Sequence, residues 1–141
     1  MSGAGYAGDM TPREAWALLE SDPNALLVDV RTKPEWQFVG VPDLAPLGRQ
    51  PAFVSWQVYP AMTVNPGFAA EVAAAGAERD RPVICICRSG ARSRAAAIAL
   101  TAAGFSRCYN LAGGFEGGHD GERHRGRTEG WKAAGLPWLQ E

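Results

Sequence analysis

The sequence has no long hydrophobic run and no excess of charge of one sign. The longest nearly apolar stretch, residues 95–105, is too short and too rich in alanine to span a bilayer. The opening residues, MSGAGYAGDM, carry neither the basic nor the apolar part of a secretion signal. A net charge of -1 gives nucleic acids and anionic membranes no overall attraction. We therefore expect a cytoplasmic protein whose partners include neither nucleic acid nor a membrane.

Cysteine and histidine are also scarce. The three cysteines are an odd number, and Cys85 and Cys87 are too close in the chain for a structural disulfide, so a reducing compartment fits best. His119 and His124 lie in a glycine-rich segment, where a solvated loop is a better interpretation than a metal site or a catalytic base. We predict no metal site and no cofactor.

A chain of 141 residues without internal repeats indicates one domain with its own core. Thr11 and Glu14 have the spacing of a capping box, which predicts that the folded part opens with a helix. We therefore predict a disordered N-terminal tail over residues 1–9 and a single domain over residues 10–141.

Four short apolar runs, each bounded by turn residues, predict the strands of a sheet. These runs cover residues 25–30, 52–58, 82–86 and 107–111. Helices are predicted after Pro34, over 67–78, over 92–103 and within 131–138, with loops over 40–51 and 112–130. Strands that alternate with helices indicate an α/β sandwich with a mainly parallel sheet, in which ligands collect at the carboxyl ends of the strands. Asp29 and Cys87 both fall at such ends.

Cys87 stands where a predicted strand passes directly into a helix, in the stretch VICICRSGARSRAAAIALTAAG. Free amide groups, the positive helix end and the nearby arginines all favour a thiolate there. Gly90 permits backbone angles that let the turn curl its amides around one point. Arg88 and Arg92 add fork-shaped donors that suit an oxyanion such as a thiosulfate or phosphate group. The segment therefore predicts an anion cradle around a nucleophilic sulfur.

The other cysteines have a simpler interpretation. On position alone a cysteine that ends an apolar strand is more often a buried hydrophobe, and only the arginines, the glycine and the helix start single out Cys87. Cys85 lies one pleat deeper on the same side of the strand and is predicted to be core, with a resolving-thiol or metal-binding role left open. Cys108 is predicted to be core as well.

The loop CRSGARS closely resembles the active-site loop of the rhodanese family of sulfurtransferases. Two further segments resemble that family in the same order: LLVDVRTKPEW at residues 26–36, and YNLAGGFEGG with the closing GWKAAGLPW. The resemblance covers residues 10–139. It implies a three-layer α/β sandwich with a central parallel sheet of about five strands flanked by helices.

The same resemblance implies a mechanism in which Cys87 carries sulfur as a persulfide. A small anionic donor such as thiosulfate would supply the sulfur, and a thiol or cyanide would accept it, with a sulfur-relay protein as a further partner. Asp29 and Arg31 would brace the loop. The residues implied to hold the terminal sulfur and its charge are Arg88, Ser89, Gly90, Ala91 and Arg92.

Two segments depart from the family pattern. Where many members have a G-H-[IV]-x-G-A stretch, this chain has GVPDLAPLG without the histidine, so no function is carried onto those residues. The segment SWQVYPAMTVNPG is long and aromatic, and Trp56, Tyr59 and Met62 are either lining of the pocket mouth or ordinary apolar packing.

Two other functions compete with sulfur transfer. Cysteine-dependent phosphatases and arsenate reductases use a similar cradle, but they need five residues between cysteine and arginine to encircle a tetrahedral oxyanion. Here four residues separate Cys87 from Arg92 and six separate it from Arg94, and the shorter loop favours a sulfur atom. The second alternative is a non-catalytic or relay module that binds a protein partner, although modules without chemistry usually lack the cysteine.

Overall fold

A five-stranded parallel sheet forms the centre of the computed structural model, which describes residues 5–118, 124–125 and 129–140. The strands are β1 (Gly8–Met10), β2 (Leu26–Asp29), β3 (Val41–Pro42), β4 (Ala52–Phe53), β5 (Gln57–Val58), β6 (Thr63–Val64), β7 (Val83–Ile86), β8 (Cys108–Leu111) and β9 (Trp138–Leu139). The helices are α1 (Pro12–Ser21), α2 (Lys33–Phe38), α3 (Phe68–Ala74), α4 (Ala91–Ala102) and α5 (Gly130–Ala133), with a 3-10 turn at Ala45–Leu47. Within the described ranges no helix is long and apolar enough to cross a membrane.

The sheet runs in the order β1-β8-β7-β2-β4, with β7 at its centre. Both faces of β7 are covered, because α3 and α4 pack on one side and α1 and α5 on the other. A strand that is buried on both faces must be apolar throughout, which is why VICI lacks the alternation of a half-exposed strand. The predicted α/β sandwich with a parallel sheet of about five strands is therefore confirmed.

The fifth strand comes from the segment that was expected to be a tail. Gly8–Met10 forms β1 and pairs in parallel with β8, with Asp9 opposite Asn110. Tyr6 is 7% exposed and belongs to the apolar core. The tail prediction therefore does not hold for residues 5–9, because a buried aromatic ring and the open edge of β8 stabilise this short strand; residues 1–4 lie outside the described residues.

The predicted strand over 52–58 is divided in two. Only Ala52–Phe53 pairs with β2, and Gln57–Val58 turns away to pair in antiparallel fashion with β6. The predicted loop over 40–51 contains β3, which pairs with β9, and the 3-10 turn. Two-residue strands are too short to produce a periodic pattern, so the sequence had no signal for them. The capping box at the start of α1 is formed as predicted.

The turn that follows β8 packs against the end of β7 through main-chain contacts. The amide of Phe115 donates to the Cys87 carbonyl at 2.7 Å, and the amide of Glu116 donates to the Arg88 carbonyl at 2.9 Å. Gly114 makes this approach possible, because a Cβ atom there would lie 2.5 Å from the Cys87 carbonyl oxygen. Its φ of +63° also lies in the left-handed region that favours glycine.

We predict that Gly114→Ala destabilises the protein more than Gly48→Ala does. Gly48 has a similar φ of +68° but no atom within 4 Å of an added Cβ, so its substitution costs only the backbone strain of about 1–2 kcal/mol. The forced contact with the Cys87 carbonyl should add about 1–3 kcal/mol at Gly114. The measurement is the free energy of unfolding in urea for both variants. Equal losses would mean that the turn does not rely on this close approach.

Candidate active site

Cys87 directly follows β7, and its sulfur faces the first turn of α4. The residue is 1% exposed. The Gly90 amide donates to the Cys87 sulfur at 3.1 Å, and the Ser93 hydroxyl oxygen lies 3.2 Å from the same atom. The curl of the loop depends on Gly90, whose φ of +121° is unfavourable for other residues. One backbone amide and one hydroxyl from the start of α4 therefore contact the sulfur directly.

The remaining loop residues separate into an exposed and a covered set. Arg88, Ser89 and Ala91 are exposed, whereas Gly90 is buried and Arg92 is half-buried. The amide groups at the start of α4 have no partner within the helix, so they are available to an anion at the sulfur. Of the two arginines that the sequence assigned to donor binding, only Arg88 has an exposed side chain.

Arg92 is held by a carboxylate from α2. Its two terminal nitrogens contact the two oxygens of Glu35 at 2.6 and 2.8 Å, which is a bidentate pair. Burial by itself raises the pKa of Glu35, but hydrogen bonds from Arg92 and Thr32 outweigh burial and hold that pKa below its ordinary value. Because the guanidinium fork is engaged, an incoming oxyanion would have to displace Glu35 to use it. The pair ties α2 to the start of α4.

Asp29 and Arg31 form a second bidentate pair, and both side chains are fully buried. Arg31 donates to the two Asp29 oxygens at 2.9 and 2.7 Å and to the Gly40 carbonyl at 2.7 Å. Its guanidinium also lies over the Phe115 ring, 4.4 Å from the ring centre. The Phe115 amide in turn donates to the Cys87 carbonyl, so the buried pair contacts the turn beneath the loop through Phe115. Removal of either partner would leave an uncompensated buried charge.

Cys85 and Cys108 are buried in the same apolar cluster as Cys87. Burial raises the pKa of the Cys85 thiol well above its ordinary value and raises the pKa of Cys108 to about 11. Both are therefore neutral thiols at neutral pH, because a buried charge without a partner is unfavourable. Their surroundings are those of core residues, as the sequence indicated.

The aromatic segment that was considered as a pocket mouth has mixed roles. Trp56 packs edge to face on Phe68 and contacts the cluster that contains Cys87. Tyr59 lines a cleft of about 510 Å³ between α2, β4 and β5, and Met62 is exposed. Within the described residues, the loop 87–92 does not line that cleft. The cleft therefore lies beside α2 and not over the sulfur.

Several residues that contact the loop were not predicted as site residues from the sequence. Glu35 was noted only as part of the segment that resembles the family, although its carboxylate binds Arg92. Ser93 and Asn110 are buried and hydrogen-bonded to each other at 2.5 Å next to the sulfur. A polar residue inside the apolar run CYNL is the one sign that could have pointed to Asn110. Of the two histidines, His124 is exposed and His119 lies outside the described residues.

The geometry agrees with comparisons to known proteins. The profile of the rhodanese-like domain family matches residues 11–120. The crystal structure of Rv0390 from M. tuberculosis is 51% identical, with a TM-score of 0.87 over 96% of this chain and 99% of that chain. The RP600 homolog of Rickettsia rickettsii is 38% identical over 89% of this chain and 91% of that protein.

A more distant relative has a functional name. The thiosulfate sulfurtransferase GlpE of Actinobacillus succinogenes is 27% identical over 92% of this chain and 87% of that protein. The family profile spans well over half of the 141 residues and includes both the Asp29 and the Cys87 segments. The chain therefore belongs to the family of rhodanese-like domains.

Proposed function

We propose that the protein is a sulfurtransferase that carries a sulfane sulfur as a persulfide on Cys87. The observation that carries this proposal is the position of the Cys87 sulfur. It accepts a hydrogen bond from the Gly90 amide at the N-terminal end of α4. Anionic sulfur is favoured at such a place because free amides and the positive helix end face it. The name of the GlpE relative supports thiosulfate as a donor.

The reaction has two displacement steps. The Cys87 thiolate attacks the outer sulfur of thiosulfate, a new S–S bond forms, and sulfite leaves with the electron pair of the broken bond. A thiol or cyanide then attacks the outer sulfur of the persulfide, and the electron pair of that S–S bond returns to Cys87. Neither step needs an external oxidant, because the sulfur atom moves between nucleophiles.

The loop suits sulfur better than a phosphoryl group for two reasons. Four residues separate Cys87 from Arg92, which makes a narrow cradle. In addition, the Arg92 fork is bound to Glu35, whereas a phosphatase needs its loop arginine for the oxyanion. We assign the terminal sulfur to the amides of residues 88–92 and the oxyanion of the donor to the exposed side chain of Arg88. A small anionic donor, a thiol or cyanide acceptor or a relay protein, and a cytoplasmic location remain our predictions.

If Cys87 carries the sulfur, incubation with thiosulfate adds the mass of about one sulfur atom to the intact protein, since one nucleophile forms one persulfide. Cys87→Ser should remove this adduct, and Cys108→Ala should keep it, because the Cys108 thiol is buried and neutral. The measurement is intact-protein mass spectrometry before and after treatment with cyanide, which should return the unmodified mass. An adduct that persists in Cys87→Ser would rule out the assignment.

Substitutions of Arg88 and of Arg92 should have different effects on the steady-state kinetic constants. We expect Arg88→Ala to raise the KM for thiosulfate about tenfold, because a charge-assisted contact to the donor is lost. Arg92→Ala and Glu35→Ala should lower kcat/KM by matching factors, since each removes the same anchor between α2 and α4. If Arg92→Ala raises KM far more than Glu35→Ala does, Arg92 binds the donor directly and our division of roles is wrong.

A further inference from the structure

A chain of hydrogen bonds leads from the Cys87 sulfur to the surface strand β1. The Ser93 hydroxyl oxygen lies 3.2 Å from the sulfur and 2.5 Å from the side-chain oxygen of Asn110. The Asn110 side-chain nitrogen donates to Asp9 at 3.0 Å, and the Tyr6 hydroxyl donates to the same Asp9 oxygen at 2.9 Å. Ser93 and Asn110 are buried, whereas Asp9 is exposed.

The charge on Asp9 determines which way the Asn110 amide faces. An ionised carboxylate only accepts hydrogen bonds, so the nitrogen of Asn110 faces Asp9 and its oxygen faces Ser93. Burial and the neighbouring Asp9 raise the pKa of Tyr6, which keeps its hydroxyl protonated as the second donor to Asp9. Asn110 therefore offers Ser93 an acceptor and no donor.

Ser93 has a single hydroxyl proton and three acceptors near it. The Asn110 oxygen is nearest, whereas the Gly90 carbonyl and the Cys87 sulfur both lie at 3.2 Å. While the proton points to Asn110, the Ser93 oxygen presents lone pairs to the sulfur. Lone pairs accept from a thiol, but they repel a thiolate. The hydroxyl supports anionic sulfur only after it rotates, and that rotation leaves the buried Asn110 oxygen without its donor.

We propose that Asn110 is a positioning residue that acts through Ser93 and limits the nucleophilicity of Cys87. Asp9 maintains this effect by orienting the Asn110 amide, so the N-terminal strand β1 contributes to the reactivity of the site. The proposal rests on the proposed function in that it takes Cys87 as the nucleophile. It also gives a physical reason for a polar residue at the buried position Asn110 in β8.

Other groups also influence the sulfur. The positive end of α4 and the Arg92 guanidinium place positive charge near it, and the neutral Cys85 thiol lies nearby in the core. Arg94 lies beside Tyr6 at the outer end of the chain of hydrogen bonds. Substitutions at Asn110 and Ser93 leave all four of these groups in place, so they isolate the effect of the hydroxyl proton.

The test is the rate of alkylation of Cys87 by iodoacetamide, followed from pH 5.5 to 8 by intact mass, with effects of about tenfold or more expected for a hydrogen bond to a charged group. Asn110→Leu should increase the rate at low pH, because the Ser93 proton becomes available to the sulfur. Ser93→Ala should alkylate more slowly than Asn110→Leu, because without the hydroxyl no proton from this position can reach the sulfur. The double variant should behave like Ser93→Ala alone, because Asn110 acts only through Ser93.

An increase in Asn110→Leu that disappears when Ser93 is also replaced is not expected from a general disturbance of the loop. Tyr109→Phe, next to Asn110 in β8 but on the other face of the sheet, serves as the control and should alkylate at the wild-type rate. If Asn110→Leu fails to fold, Asp9→Ala replaces it at an exposed position and should also increase the rate. A decrease in either variant, or an increase that persists in the Ser93→Ala background, would overturn the proposal. Alkylation needs no sulfur transfer, so a failure of the thiosulfate experiment would not affect this result.

Discussion

The Gly90 amide of the loop after β7 donates to the Cys87 sulfur, while the carbonyl groups of Cys87 and Arg88 point to the turn after β8. Cys87 is 1% exposed, so its carbonyl has to find a donor inside the protein. The turn after β8 supplies these donors from the amides of Phe115 and Glu116. This requirement explains why glycine occupies position 114, where any side chain would collide with the Cys87 carbonyl.

Two ion pairs lie on either side of the loop. Below it, the buried pair of Asp29 and Arg31 places a guanidinium over the Phe115 ring. Beside it, Glu35 holds Arg92 and joins α2 to α4. A buried or half-buried arginine that is satisfied by a carboxylate positions the backbone, but it is not free for substrate. The loop thus separates its two arginines into one that supports the structure and one, Arg88, that faces solvent.

Much of the fold follows from patterns that are local in the sequence. The apolar run of β7, the capping box of α1 and the junction at Cys87 were all recognisable, because each depends on residues within one or two turns of chain. The strand β1 was missed because three residues with two small or acidic side chains have no strand pattern of their own. That strand exists because the edge of β8 offers it hydrogen bonds and because Tyr6 reaches the core. The short pairs β3–β9 and β5–β6 were missed because strands of two residues also have no pattern of their own.

By itself the sequence predicted where the candidate site lies, since a cysteine, a glycine and a helix start within five residues are typical of an anion-binding turn. It did not determine what the neighbouring side chains do. Glu35 is 57 positions from Arg92, and Asn110 is 101 positions from Asp9, so these partners meet only when α2 and β1 dock on the sheet. Hydrogen bonds and ion pairs depend on distances of a few ångströms, and only the packed structure decides which distant residues come that close.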